Sequence, residues 1–542
     1  MAEGCAWNEL VLAEMVAARA EEAPDLDVLT FDNGGIRPDE VRTYADLVRH
    51  GSSIAAALAA RGMQCGDRFG LLLRNHPEFV ETMVAASMSG CVFVPIDPRT
   101  KGDKLAYTLR DSQCKGVVCA DYSLAQVAAI RDQVPTLTWA LVLESGEEPG
   151  AMPTSALKGA EPFANALATP APPYRGGERQ GDDPLEILYT SGTTGDPKGV
   201  VCSNARYVMA TMLGALFGLQ PDDRPYTGLS LTHGNAQMMT LAPSLGMKLR
   251  VVFSRKFTKS RLWDITRKHG CTVFNLLGGM ATAIYSEPVR ANDGDNPVRF
   301  VLSAGMPAAL WEPFEKRFHV RVLECYGAIE GGLAINPIGV GPIGSFGKPP
   351  PGLDMKIVDD DGNECQPGVL GELISRPAGG EEAKVEYFRN EEASRAKTRG
   401  GWLLSGDICH RDAEGWFYFD CRKGGGIRHN GDFVNPGFVE KVVAEHPQVT
   451  DVFVYGVPAA SGAPGEKDVV AAVVATDAAS FDAADVFRHC QRGLEGNFVP
   501  SYLQVVDEIP KTASEKPQER FLVDRFAVDA PGVYVRQGAA RE

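Results

Sequence analysis

The sequence predicts an α/β protein with a large N-terminal domain and a small C-terminal one. At 542 residues the chain exceeds what a single hydrophobic core supports, so at least two domains are expected. Up to about residue 327, short apolar strands alternate with helical stretches, which is typical of parallel sheets covered by helices. Beyond residues 424–426, which are three glycines, strands and helices predict a compact α+β unit.

Periodicity assigns the N-terminal elements in order. Apolar residues at helical spacing predict helices over 7–23 and 44–62, and Gly62 can end the second. A first parallel-type sheet is predicted from RFGLLLRN, CVFVPIDPR, GVVCA and WALVLE, with a helix from about Ser123. Residues 146–184 are rich in Gly, Pro, Ala and Glu, so we expect an exposed connector there.

A second parallel-type sheet is predicted from YTGLSLTHGN, LRVVFS, CTVFNLLGG and VRFVLSAGMP, which also have helical stretches between them. After VRVLECYGAIEGG, Gly/Pro turns separate the alternating strands LDMKIVD, GVLGELIS and GWFYFDCR. This pattern indicates hairpins and a small β-barrel-like subdomain. The domain boundary is predicted near Arg422.

Composition excludes several classes of function. The net charge is −16, and no run of five or more Lys or Arg residues occurs, so we expect neither nucleic acid nor an anionic membrane as a partner. The twelve cysteines show no C-x-x-C pair, which indicates a reduced compartment and no zinc site. The sequence lacks a signal-peptide pattern and an apolar run long enough for a membrane span, so we expect a cytoplasmic protein.

The most informative stretch is YTSGTTGDPKGVVCS, residues 189–203, which follows the apolar run LEIL. Its glycines let backbone amides approach an anion, while neighbouring hydroxyls and Lys198 add donors and a positive charge. The G-x-x-G-x-x-K spacing does not fit the Walker pattern, so a P-loop NTPase is not expected. A polar turn between buried strands is the alternative explanation of the composition alone.

The string TSGTTGDPKGV resembles the phosphate-binding signature of the adenylate-forming superfamily, which includes acyl-CoA synthetases, nonribosomal adenylation domains and firefly luciferase. Five further stretches resemble its motifs in the same order: SAGMP, YGAIEG, LLSGD, RKGGGIRHNG and PKTASEKPQER. The layout from LTHGN to YGAIEGG looks most like the branch of crotonobetaine/carnitine-CoA ligase and of medium-chain or aryl acyl-CoA ligases.

This resemblance implies a role for each matching residue. Catalytic roles fall to Lys516, Glu330, Thr190 and His233; Glu330 would also hold Mg²⁺ on the ATP phosphates. The implied ATP and coenzyme A contacts are Thr190, Ser191, Gly192, Thr193, Thr194, Gly195, Lys198, Ser303, Ala304, Gly305, Tyr326, Gly327, Asp407, Arg422 and Gly431.

The sequence departs from the superfamily pattern in three of the motifs. Ile329 stands where a threonine usually contacts the α-phosphate, and Glu515 stands where a glycine usually precedes the lysine that Lys516 matches. Gly424 and Gly425 replace the Lys-Asp pair of the hinge, which places Gly425 at the pivot. Three consecutive glycines give a free backbone that suits a swivel.

The resemblance implies an N-terminal AMP-binding domain (1–421), a hinge (422–426) and a mobile C-terminal lid (427–542). The implied enzyme is an ATP-dependent acyl-CoA ligase of the kind found in fatty acid metabolism, with ATP, Mg²⁺ and coenzyme A as cofactors. Two alternatives stay open: a stand-alone adenylating enzyme that loads a carrier protein, and a degenerate, non-catalytic AMP-binding protein. A homodimer also stays open.

The predicted acid pocket indicates the substrate. α-Amino-acid adenylation domains place an aspartate directly after the residue that His233 matches, and here that position is Gly234. Leu276, Leu277 and Met280 make the predicted wall apolar, and several glycines predict room for a substrate wider than acetate. Because a buried ammonium would lack a partner, we expect a medium-size aryl, arylalkyl or medium-chain acid. Carnitine-like acids come second, because Asn235 and Gln237 offer polar groups.

Overall fold

The computed structural model describes residues 7–148, 150–190, 197–423, 427–429, 432–434, 436–460, 467–494, 496–512 and 517–536. Within these ranges, helices and strands alternate as the sequence predicts, and no helix is long and apolar enough to cross a membrane. The cysteines of the described part form no disulfide, and all of them except Cys65 are buried.

The first part of the chain contributes strands to both large sheets. Its strands are β1 (Leu29–Asp32), β2 (Glu40–Arg42), β3 (Arg68–Leu72), β4 (Val92–Pro95), β5 (Gly116–Ala120), β6 (Trp139–Leu143), β7 (Ala160–Pro162), β8 (Pro184–Thr190) and β9 (Lys198–Ser203). The sheet of order β7-β6-β5-β3-β4-β8-β9 is parallel except for the antiparallel pair β8/β9.

The helices of this part cover the sheets. They are α1 (Leu12–Glu22), α2 (Tyr44–Ala60), α3 (Pro77–Ser89), α4 (Gly102–Asp111), α5 (Asp121–Ile130) and α6 (Phe163–Leu167). Helix α2 begins at a capping box between Thr43 and Asp46, and Gly62, in the left-handed region at φ +78°, follows its end. The expectation of an exposed connector at 146–184 is wrong in part, because β7 and α6 lie there and Phe163 is buried.

The second large sheet has the order β15-β14-β13-β12-β10-β11-β1-β2. Its later strands are β10 (Pro225–Thr227), β11 (Val251–Ser254), β12 (Val273–Leu277), β13 (Phe300–Ala304), β14 (Arg321–Gly327) and β15 (Leu333–Asn336). Strands β1 and β11 pair in parallel with Leu29 opposite Val251, and the edge strands β2 and β15 are antiparallel to their neighbours. The predicted second parallel-type sheet is therefore confirmed.

The helices of this second part are α7 (Asn204–Met209), α8 (Leu213–Leu216), α9 (Ala242–Met247), α10 (Leu262–His269), α11 (Gly278–Tyr285) and α12 (Ala308–Phe318). A π-helix (Ala236–Leu241) precedes α9. Short 3₁₀ turns occur at Arg131–Gln133, Thr154–Ala156, Ala210–Met212 and Gly496–Phe498.

A curled antiparallel half-barrel follows the second sheet, as predicted. It comprises β16 (Leu353–Val358), β17 (Gly371–Pro377), β18 (Thr398–Arg399), β19 (Trp402–Arg411) and β20 (Phe417–Arg422), with helix α13 (Glu391–Ala396) before β18. Small apolar side chains such as Ile357, Leu373 and Cys409 fill its interior.

The C-terminal unit is α+β and has its own core. Strands β21 (Ile427–His429) and β22 (Asp432–Val434) form a hairpin, and β23 (Val449–Pro458), β24 (Lys467–Ala475), β25 (Tyr502–Val505) and β26 (Val533–Val535) form a mixed sheet. Its helices are α14 (Pro436–Ala444), α15 (Ala483–Gly493) and α16 (Glu519–Val523). Val439, Val469 and Val486 belong to one buried cluster within this unit.

Candidate active site

The predicted phosphate loop joins two strands that pair directly. Thr190 is the last residue of β8 and Lys198 the first of β9, and the two are partners in the antiparallel register. The Thr190 hydroxyl donates to the Lys198 carbonyl at 3.4 Å. The loop residues Ser191, Gly192, Thr193, Thr194 and Gly195 lie outside the described residues. Both ends of the loop are thus fixed beside each other at the carboxyl end of β8, where α/β proteins place ligands.

The SAGMP segment forms a turn whose backbone amides donate hydrogen bonds to a buried carboxylate. Ser303 and Ala304 end β13, and Gly305 follows at φ +94°, a conformation that favours glycine. The backbone amides of Gly305 and Met306 donate to the carboxylate of Glu324, and the Met306 distance is 3.1 Å. Burial raises the pKa of Glu324 to about 7, although these amides oppose the shift.

Three residues that are predicted to bind the nucleotide, and that are distant in sequence, contact one another. The hydroxyl of Tyr326, near the end of β14, donates to Asp407 Oδ2 at 2.5 Å. Arg422 Nε lies 3.0 Å from Asp407 Oδ1, because Asp407 and Arg422 are opposite each other in the β19/β20 register. Gly327 is exposed at the end of β14.

Asp407, the last residue of the LLSGD motif, lies in the middle of the ten-residue strand β19. Its side chain is buried, and Tyr326 packs against Phe346 with ring centroids 4.8 Å apart. Burial and the neighbouring Asp407 charge raise the pKa of Tyr326, so its hydroxyl stays protonated and remains a donor.

Glu330, the predicted Mg²⁺ ligand, is tied to the phosphate-loop strand through an aromatic side chain. The Tyr387 hydroxyl donates to Glu330 Oε1 at 3.1 Å, and Lys198 Nζ lies 5.6 Å from the centroid of the Tyr387 ring. Tyr387 reaches this position because its segment forms a bridge to Val200 of β9. Tyr387 therefore connects a carboxylate with a lysine, both predicted to act on phosphates.

His233 lies just before the π-helix, a feature frequent at functional sites. The Asn235 amide donates to His233 Nδ1 at 3.2 Å. A Cβ atom at Gly234 would lie 3.4 Å from Ile329 Cδ1, so the His233 and Glu330 segments are neighbours. The Asn275 side-chain amide donates to Asn235, which brings β12 to the same place.

The residues predicted to form the apolar wall of the acid pocket lie beside a glycine that permits a close backbone approach. Leu276 and Met280 are buried, and Leu277 is half-buried. A Cβ atom at Gly278 would lie 2.1 Å from the Gly305 carbonyl oxygen. Gly278 thus permits two adjacent strand-to-helix turns to approach closely and does not widen the pocket.

Comparison with known families decides the identity of this arrangement. The AMP-binding enzyme family matches residues 16–380, and the AMP-binding enzyme C-terminal domain matches residues 439–516. The chain belongs to the AMP-binding enzyme family. The first match covers the stretches TSGTTGDPKGV, SAGMP and YGAIEG, and the second ends at Lys516. LLSGD and RKGGGIRHNG lie between the two matches.

Individual relatives of this family member are CoA ligases. The medium/long-chain-fatty-acid–CoA ligase FadD17 of Mycobacterium marinum is 32% identical over 91% of this chain and 93% of its own. Sulfoacetate–CoA ligase of Cupriavidus necator is 30% identical over 95% of this chain and 97% of its own. Crotonobetaine/carnitine–CoA ligase of Salmonella typhi is 28% identical over 88% of this chain and 91% of its own. The protein is an acid–CoA ligase of the AMP-forming kind.

A solved structure supports the fold independently. The anthranilate CoA ligase AuaEII, in complex with anthranoyl-AMP, superposes with a TM-score of 0.80 at 22% identity, over 94% of this chain and 96% of its own. This agreement confirms the predicted fold class.

Besides Tyr387 and Glu324, three further ionisable residues near the site were not predicted from the sequence. Arg206 at the start of α7 donates to the Ile329 carbonyl and so anchors the segment that carries Glu330. Glu186 is fully buried within β8, the strand that leads into the phosphate loop. Lys397 directly follows α13 and donates to the Ser405 carbonyl at 3.1 Å. Each is a single charged residue without a motif, so only long-range contacts reveal it.

Five further residues discussed in the sequence analysis lie outside the described part of the chain: Lys516, Glu515, Gly431 and the hinge glycines Gly424 and Gly425. Their roles, the domain boundaries and the mobility of the lid remain predictions.

Proposed function

We propose that this acid–CoA ligase activates a medium-size acid with an uncharged tail as its acyl-adenylate, releases pyrophosphate, and then transfers the acyl group to coenzyme A. The contact of Tyr326, Asp407 and Arg422 carries this proposal. It joins an aromatic ring suited to stack on adenine, a carboxylate suited to ribose hydroxyls and a cation suited to phosphate. These are the chemical needs of an adenosine phosphate.

The Asp407 carboxylate is oriented so that it can accept hydrogen bonds from two ribose hydroxyls. Tyr326 and Arg422 each contact a different carboxylate oxygen, which fixes the plane of the carboxylate. Because each oxygen has two lone pairs, both can also accept a hydrogen bond from a ribose hydroxyl. Prior fixation reduces the entropy that is lost when the nucleotide binds.

Activation requires that two anions, the acid and the α-phosphate, approach each other. Lys198 and the loop amides would offset the negative charge on the phosphates, and Lys516 would bridge the acid and the nucleotide. The attacking carboxylate oxygen then displaces pyrophosphate from the α-phosphorus, which gives a mixed anhydride. The thiol of coenzyme A attacks this carbonyl and expels AMP.

Glu330 fits the role of a Mg²⁺ ligand. Its carboxylate is half-buried, and the neutral Tyr387 hydroxyl orients one of its oxygens. A hard carboxylate oxygen suits Mg²⁺, and the bound ion would neutralise charge on the ATP phosphates. Tyr387 keeps the carboxylate in place without adding a competing positive charge.

The described surroundings of His233 support an apolar acid tail. Gly234 provides no carboxylate for an ammonium group, and it faces the aliphatic Ile329. Asn275 lies beside apolar side chains of the π-helix, β12 and β13, among them Met239, Phe274 and Phe300. Carnitine-like acids come second, because Asn235 could face a polar group.

The two half-reactions need different groups at the same place. We propose that the lid, residues 427–542, swivels about the hinge 422–426 and presents first Lys516 and then the Gly431 segment. Strand β20, which ends at Arg422, leads directly into this hinge. Arg422 would thus connect the nucleotide to the moving domain.

Substrate comparison tests this proposal. Purified protein is assayed with ATP, Mg²⁺ and coenzyme A, and kcat/KM is measured for hexanoate, phenylacetate, crotonobetaine and phenylalanine. We expect hexanoate or phenylacetate to be preferred by at least tenfold over phenylalanine, because its ammonium would lose hydration without gaining a partner. A preference for phenylalanine would overturn the pocket argument.

A further inference from the structure

Lys397 lies at the junction of helix α13 and strand β18, beside the proposed nucleotide site. Its backbone carbonyl accepts a hydrogen bond from the Leu404 amide at 2.9 Å, which fixes the residue against β19. Its ammonium donates to the Ser405 carbonyl at 3.1 Å. Ser405 is two residues before Asp407, so the lysine points along β19 towards the proposed ribose site.

A second cation shares the same carbonyl oxygen. Arg422 Nη1 donates to Ser405 O at 3.3 Å, while its Nε contacts Asp407. Two positive groups within hydrogen-bonding distance of one neutral oxygen repel each other, and a carbonyl offers only partial compensation. Lys397 and Arg422 therefore place two positively charged donors side by side next to the Asp407 carboxylate, where one phosphate group would accept from both.

The carboxylates that act electrostatically on Lys397 are Glu330, Asp407 and Glu372. Glu330 is assigned above to the metal on the phosphates, and Asp407 to the ribose. A nucleotide bound to both therefore has its phosphates in the region that Lys397 faces. Burial of the Lys397 side chain strengthens its interaction with an anion, because less water screens the charge.

We propose that Lys397 is a further nucleotide-binding residue, which together with Arg422 contacts a phosphate group of ATP. The inference rests on the proposed function, since it requires a nucleotide between Glu330 and Asp407. On binding, the ammonium exchanges the neutral Ser405 carbonyl for a charged phosphate oxygen, and charge-assisted hydrogen bonds of this kind are about twice as strong as neutral ones. A purely structural lysine would only tie α13 to β19.

Nucleotide binding without turnover separates these two roles. The dissociation constants of AMP and adenosine are measured by isothermal titration calorimetry for the unmodified protein and for Lys397→Met and Lys397→Arg. Lys356→Met is the matched control: Lys356 lies on β16 of the same half-barrel, with its ammonium 4.7 Å from the Trp402 ring centroid. Lys356→Met removes one positive charge from the half-barrel, as Lys397→Met does.

We expect Lys397→Met to weaken AMP binding at least tenfold and to change adenosine binding less than twofold. Lys397→Arg should retain AMP affinity within about threefold, and Lys356→Met should bind both ligands normally. AMP affinity of Lys397→Met within twofold of the unmodified protein would overturn the proposal, and so would an equal loss of AMP and adenosine affinity. If the unmodified protein does not bind AMP more tightly than adenosine, the proposed function itself is contradicted.

Discussion

Replacing Glu186 by glutamine should make the stability of the protein less dependent on pH. Glu186 lies in β8 with no exposed surface. Within the described part of the chain, neither of its carboxyl oxygens forms a hydrogen bond. Burial raises its pKa to about 8, and the nearby Gln237 and Arg206 side chains offset only part of that shift. A buried carboxyl in this setting stays protonated at neutral pH.

The sign and the size of the effect follow from the two protonation states. In the unfolded chain the carboxyl loses its proton near its ordinary pKa of 4.5, whereas the folded protein retains it up to about pH 8. Between these values the unfolded state binds fewer protons, so stability falls as pH rises. At about 1.36 kcal/mol per pKa unit, the loss between pH 4.5 and 7 is ~3 kcal/mol, an order-of-magnitude figure.

Glutamine has nearly the same shape and stays neutral at every pH, so Glu186→Gln should lack this loss. Melting temperatures of both proteins are measured between pH 5 and 8 by differential scanning fluorimetry, with Glu178→Gln as the control because Glu178 is 84% exposed. The advantage of Glu186→Gln over the unmodified protein should grow by several degrees as pH rises. A difference that stays constant over this range would refute the assignment of a neutral Glu186.

Three further outcomes are expected. Tyr387→Phe should raise the KM for Mg·ATP about threefold to tenfold and leave the KM for coenzyme A unchanged, because a carboxylate loses a hydrogen bond that orients it; steady-state kinetics with each substrate varied check this. Gly278→Ala should lower stability by about 1–3 kcal/mol, measured as a fall in melting temperature, because its Cβ would overlap a carbonyl oxygen. Lys516→Ala should lose well over tenfold in acid-dependent ATP consumption yet still convert a synthetic acyl-adenylate to acyl-CoA, and equal losses in both assays would contradict domain alternation.

The sequence predicted the sheets because periodicity is a local property. Strand β5 is apolar throughout and fully buried, and Gly62 follows the apolar repeat of α2, so both were recognisable directly. Strand β1 is four residues long and pairs with β11 more than two hundred residues later, and no local signal specifies such a pairing. Asp407 was identified by its motif, but its place in the middle of β19 depends on pairing with β17 and β20.

The candidate site was predictable where residues belong to contiguous motifs. Tyr326, Asp407 and Arg422 come from three motifs, and the structure brings them into contact. Tyr387 and Lys397 belong to a segment without a motif, and they reach the site because that segment bridges to β9 and packs along β19. Such positions follow from tertiary contacts and not from local sequence.

The nucleotide products of a single reaction test the adenylation chemistry most directly. With hexanoate or the best acid found in the substrate comparison, ATP and coenzyme A are supplied, and nucleotides, pyrophosphate, phosphate and acyl-CoA are quantified together. AMP and pyrophosphate should form in equal amounts with acyl-CoA, because attack occurs at the α-phosphorus. ADP and phosphate as the main products would contradict an acyl-adenylate intermediate.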